Sequence, residues 1–142
     1  MTFRLPPYLY RQEVETLETA SPGQRALLDR YVAAFEAPDV DALAAVLTED
    51  ASWQMPPISV WFEGRDQITR FLATRMRATG GLRAIPTAAN GQPAFGFYAR
   101  HEDGMYRPHA IHVLTLTDGG VSGVVSFSDP ALFPLFGLPP IA

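Results

Sequence analysis

The chain has 142 residues, enough for one domain with a proper hydrophobic core, and its 47% hydrophobic and 18% charged composition excludes wholesale disorder. It has no cysteine, which rules out disulfides, thiolate metal sites and cysteine nucleophiles. The net charge of −4 disfavours general binding to nucleic acid, and all eleven basic residues are arginine, as in many GC-rich bacterial genomes.

No apolar run approaches the roughly 20 residues that span a bilayer. The opening MTFRLPPYLYRQEVE carries prolines and charges where a signal peptide needs an apolar core. A soluble cytoplasmic protein is the expectation. Residues 1–20, with acidic Glu13, Glu15 and Glu18, read as a linker or an arm that packs on something else.

Ser21-Pro22-Gly23-Gln24 is a strong helix start: serine caps, proline suits the first helical position, and glutamine completes a capping box. Leu27, Leu28, Tyr31, Val32 and Phe35 recur at helical spacing, and Pro38 predicts an end near Ala37. Tyr31 supplies the only polar group on that stripe. Asp39 is the expected cap of a second helix carrying Val40, Leu43, Val46 and Leu47, which runs to about Leu47 or Thr48. Ala51–Met55 reads as the first strand, stopped by Pro56-Pro57, and ISVWFE as an aromatic loop or short strand.

A third helix is predicted from Gly64 to about Ala78, ended by Gly80-Gly81. The five arginines between Arg65 and Arg83 read as a solvated face, not a phosphate site. Strands follow at Leu82–Ala89, Pro93–Arg100, Tyr106–Thr117 and Val121–Asp129. The turns between them are Asn90-Gly91, Glu102-Asp103-Gly104 and Asp118-Gly119-Gly120. Helices before an antiparallel meander indicate an α+β domain over 21–129. The tail 130–142 carries Leu132, Phe133, Leu135, Phe136 and Leu138, an apolar set that must be buried. It is expected to close the mouth of the domain, to pack on a second subunit or to dock on a neighbouring domain.

The two helices, the Ala51-Ser52-Trp53 strand, the GRDQI third helix and the meander together resemble the nuclear-transport-factor-like superfamily across 24–129. That superfamily holds SnoaL-like polyketide cyclases, scytalone dehydratase and ketosteroid isomerase. The resemblance implies a cone-shaped, curved, mixed or antiparallel sheet wrapped around three helices, an apolar pocket, and a homodimer formed through the sheet. A narrower match runs through ALLDRYVAAFE, DVDALAAVLTEDA, MPP, WFEGRDQI, PTAANGQPAF, HVLTL and DPALFPLFGLP. These look like the SnoaL-like C-terminal domain of some extracytoplasmic-function sigma factors, which implies sigma-factor core regions or RNA polymerase as partners.

An isomerase of this superfamily needs a carboxylate base and an oxyanion hole that includes a tyrosine. The resemblance puts the tyrosine at Tyr31 and the base at Met55, and a thioether cannot accept the proton. His109 and His112 are three residues apart, so in a regular strand they face opposite sides and at most one enters the pocket. His109 is favoured, with Ile111 and Val113 as same-face neighbours.

The leading reading is a non-enzymatic domain that binds an apolar small molecule or a protein surface. The alternative is a cyclase-, isomerase- or dehydratase-like enzyme using Tyr31 and His109. Asp129 is a further acidic candidate for cyclase chemistry, against a plain turn or capping role. Pocket residues are expected among Tyr31, Trp53, Met55, Trp61, Phe71, Phe95, Phe97, His109 and Phe127. The histidines, including His101, lack metal-ligand spacing, and no metal or cofactor is expected.

Overall fold

The computed structural model describes residues 21–59 and 61–142. The expected N-terminal arm lies outside them. Helix α1 (Pro22–Glu36) starts on the capping box read from the sequence: the Gln24 amide donates to Ser21 Oγ at 3.1 Å, and the Ser21 amide donates to Gln24 Oε1 at 2.9 Å. Asp39 caps α2 (Val40–Val46) by accepting from the Ala42 amide at 3.0 Å. Strand β1 (Leu47–Gln54) follows without a loop, longer at its start than Ala51–Met55. Glu49 and Asp50 are poor strand formers, and they fall where the register with the last strand of the sheet shifts, between Leu47 and Ser52.

Strand β2 (Trp61–Glu63) pairs with β1, and Gly64 leads into α3 (Arg65–Thr79), which buries Ile68, Leu72 and Met76. The meander is β3 (Leu82–Ala89), β4 (Gln92–Arg100), β5 (Tyr106–Thr117) and β6 (Gly120–Phe127). Asn90 and Gly91 take φ of 53° and 77°, the left-handed pair that a two-residue hairpin between right-twisted strands requires.

The strands form one curved, unclosed sheet in the order β2-β1-β6-β5-β4-β3. Every pairing is antiparallel except β1 with β6, which is parallel and ties the N-terminal half to the end of the meander. The three helices pack on one face, where Tyr31, Phe35, Leu43, Ile68 and Leu72 meet Trp53, Phe97, Leu114 and Val124.

The tail covers the opposite face. Phe133 and Leu138 are buried there against Ala94, Tyr98, Ile111 and Val113. Tyr98 Oη donates to the Pro139 carbonyl at 2.7 Å, and Thr87 Oγ1 donates to the Phe136 carbonyl at 2.9 Å. Gly96 makes this fit possible, since a Cβ there would stand 2.6 Å from Leu138 Cδ1. The tail therefore packs on the outer face of its own sheet and lines no part of the cavity described below.

One irregularity decides what the site contains. Phe97 pairs with Ala110 but Tyr98 pairs with Pro108, so one step along β4 spans two along β5 and His109 is the extra residue. Such a bulge breaks the strict alternation of the strand. Pro108 falls on the outer face with Tyr98, whereas both His109 and His112 end on the helix side, contrary to the expectation that at most one would. Ile111 and Val113, the expected companions of His109, lie on the outer face under the tail.

Candidate functional site

Between α3 and the inner face of the sheet lies a cavity of about 230 Å³. Helix α1 contributes Phe35 and helix α3 contributes Phe71, Leu72, Arg75 and Met76. Trp53 and Met55 come from β1 and its end, His109, Ala110 and His112 from β5, and Ser126 and Ser128 from β6 and its end. Among the described residues, the wall has a tryptophan, phenylalanines, methionines and leucines, a few neutral polar groups, one arginine and no carboxylate.

His112 is the polar centre of this region. Its ring is buried among Tyr31, Phe35, Trp53 and Phe97, with centroid separations of 6.1, 5.3, 5.1 and 4.7 Å. Nδ1 lies 2.8 Å from the Tyr31 hydroxyl. Tyr31 is fully buried and has no other hydrogen-bond partner among the described residues. Were the hydroxyl to accept from Nδ1–H, its own proton would be left unpaired in a dry core, at a cost of about 1–3 kcal/mol. The tyrosine therefore donates, Nδ1 accepts, and the ring proton sits on Nε2. Nε2 and the nearby Ser126 hydroxyl have no partner among the described residues and open onto the cavity.

Burial, with a smaller contribution from the charge of His109, pushes the His112 pKa down to about 3. Burial also raises the Tyr31 pKa well above that of a free tyrosine. At neutral pH both groups are uncharged. A neutral imidazole whose Nδ1 is already taken offers the cavity an N–H donor, not a base. Trp53 Nε1 is buried without an acceptor among the described residues, a standing cost in this wall.

His109 stands at the mouth. Partial burial lowers its pKa, and the charges of Arg75 and then His101 add to the effect. Arg75 is held beside it, its Cζ 4.3 Å from the centroid of Phe71, which in turn stacks on Phe62 at 4.3 Å. Among the described residues, no three His, Cys, Asp or Glu side chains gather closely enough to hold a metal ion.

Of the residues expected in the pocket, Trp53, Met55, Phe71 and His109 line the cavity. Tyr31 lies one layer deeper, behind His112, so the hydrogen-bonded pair is Tyr31 with His112 and not Tyr31 with His109. Phe95 and Phe97 belong to the core on the same side but fill it without lining the open space. Trp61 is 61% exposed. Phe127 lies on the other face against Phe136, because the register pairs it with Ile111. The Asp129 carboxylate accepts from the Ala131 amide at 3.0 Å as the cap of a short 3-10 turn and does not line the cavity.

Ser126 and Arg75 were not among the expected site residues, and His112 was passed over in favour of His109. Two signals were present. Pro108 has no N–H to give a central strand, which points to a bulge, and Phe71 precedes Arg75 by one helical turn.

Residues 28–124 match the family model of the SnoaL-like domain. The chain is 44% identical over 121 residues to the ECF RNA polymerase sigma factor SigG of Mycobacterium tuberculosis, a match covering 84% of this chain and 32% of that protein. It thus spans about a third of the length of that relative. Among solved structures, an NTF2-like protein of unknown function from Burkholderia xenovorans LB400 is 17% identical with a TM-score of 0.58, covering 83% of this chain and 86% of that one. TerC, co-crystallised with polyporic acid, is 22% identical with a TM-score of 0.57, covering 82% and 98%. A de novo designed protein with a curved β-sheet is 12% identical with a TM-score of 0.61, covering 79% and 89%. These likenesses establish a shared fold.

Proposed function

The chain belongs to the SnoaL-like domain family, and we propose that within it this protein binds a ligand instead of transforming one, in the service of transcription. The observation that carries this is the cavity wall. Met55 stands where the resemblance puts the isomerase base, and no Asp or Glu replaces it among the lining residues. The buried histidine is already engaged by Tyr31 and is neutral at physiological pH. A largely apolar space with a few convergent polar groups suits recognition of a small molecule. The enzyme reading through Tyr31 and His109 has less support, since Tyr31 does not reach the cavity.

The identity to a sigma factor supports a regulatory role. The partners are then an apolar small molecule, sigma-factor core regions or RNA polymerase, and a second copy of the chain, all in the bacterial cytoplasm. No described helix is long and apolar enough to cross a membrane.

A promoter-reporter strain carrying the gene with this sequence tests the reading. Replacing Leu72 by tryptophan fills the cavity from α3, and the fold of the variant is checked by circular dichroism. Reporter output is expected to shift in the folded variant. Unchanged output would overturn the regulatory role.

A further inference from the structure

We propose that the cavity takes a small apolar monocarboxylate, with its ring or chain against Phe35, Trp53, Leu72 and Met76 and its carboxylate at the mouth on the Arg75 guanidinium. The proposal rests on the binding reading of this same cavity and names the chemical class of its ligand.

The charge of the wall carries the argument first. Among the described residues, Arg75 is the only permanently charged one lining the cavity, and no aspartate or glutamate stands beside it there. The ion pair between Arg107 and Asp103 lies on the turn between β4 and β5, and among the described residues Arg75 has no carboxylate partner. Among the described residues, this cation at the rim of a largely apolar space has no carboxylate beside it. An anionic headgroup supplies one. An apolar amine would instead face Arg75 with like charge, and a dianion would find no second permanent cation among the described residues of the wall.

The second observation is that the guanidinium is held in place. Phe62 stacks on Phe71, and Arg75 lies over the same Phe71 ring at 4.3 Å. No described side chain accepts a hydrogen bond from the guanidinium there, so its planar N–H fork is available to meet a carboxylate in two parallel hydrogen bonds. Restraining the side chain in advance lowers the entropy lost on binding.

Size is the third. At the interior packing density of about 0.74, the space of about 230 Å³ holds roughly 170 Å³ of van der Waals volume, which suits two fused rings with a short substituent.

Isothermal titration of the full chain with naphthoate, naphthamide and naphthylmethylamine tests this. These probes keep the ring and change only the charge. Naphthoate is expected to bind at least about tenfold more tightly than the amide, since only the acid forms an ion pair and a bidentate contact with the guanidinium. The amine is expected to bind most weakly. Arg75→Met should remove the advantage of the acid over the amide, and Arg75→Lys should keep part of it. Arg75 is exposed, so the variants are expected to keep the wild-type melting midpoint. Equal affinity for acid and amide, or an acid preference that survives Arg75→Met, would overturn the carboxylate while leaving the binding reading intact. Failure of all three probes would overturn the binding reading and this proposal with it.

Discussion

The hydroxyl of Tyr31 and Nδ1 of His112, 81 residues apart in the chain, meet at 2.8 Å in the dry interior. The contact ties the middle of α1 to the centre of the sheet. Tyr31→Phe removes the donor and leaves Nδ1 of the buried His112 without a partner among the described residues. The expected cost is about 1–3 kcal/mol, read as a lower urea midpoint with an unchanged slope. A variant as stable as wild type would show that the pair contributes nothing to folding.

Acid should destabilise the fold through His112. Its pKa is about 3 in the folded protein against an ordinary value of 6.5. Above 6.5 the ring is neutral in both states and contributes no pH dependence. Below it the unfolded chain takes up a proton that the folded chain resists, so stability falls as the pH drops towards 3, by at most about 1.4 kcal/mol per pH unit. His109, with its pKa lowered by burial, acts in the same direction. Asp103, whose pKa is lowered chiefly by its hydrogen bond from Arg107, adds to the loss at the acid end. Urea denaturation at several pH values should give a clear slope for wild type and a shallower one for His112→Asn. Parallel profiles would mean that another group dominates.

The fit of the tail to the sheet is open to a double-mutant cycle. Gly96→Ala puts a methyl group into both Leu138 methyls and its Cγ, at 2.6, 3.0 and 3.3 Å, an overpacking expected to cost about 1–3 kcal/mol. Leu138→Ala leaves a void and is expected to cost about 2–5 kcal/mol. In the double variant the new methyl enters space that the leucine vacated, so the combined loss should be smaller than the sum. Additive losses would mean that the two residues do not share that space.

Fluorescence can report where a ligand sits. Trp53 lines the cavity and is buried, whereas Trp61 is 61% exposed. In Trp61→Phe the remaining emission should be that of a buried indole and should change on saturation with naphthoate. Calorimetric binding without any change in that emission would place the ligand elsewhere.

Most of the fold was legible because it is written locally. Ser21 with Gln24, Asp39, Asn90-Gly91 and the period-two strands each act within a few residues of themselves. Features set by distant partners were not. The parallel pairing of β1 with β6 joins segments about 70 residues apart, and nothing in either strand names the other. The bulge at His109 follows from how β5 meets β4, and it reversed the expected sides of Ile111 and Val113. Tyr31 and Met55 were singled out by resemblance, but the partner of the tyrosine came from a strand whose local period had been altered.

The tail has a consequence for self-association. The resemblance implies a homodimer built through the sheet, yet the outer face of this sheet is occupied by Phe133 and Leu138 of the same chain. A tethered segment competes at an effective concentration on the order of millimolar. A second copy present at micromolar concentration would have to dislodge a resident rival a thousand times more abundant at that surface. Any pairing across this face would therefore require residues 130–142 to leave it first.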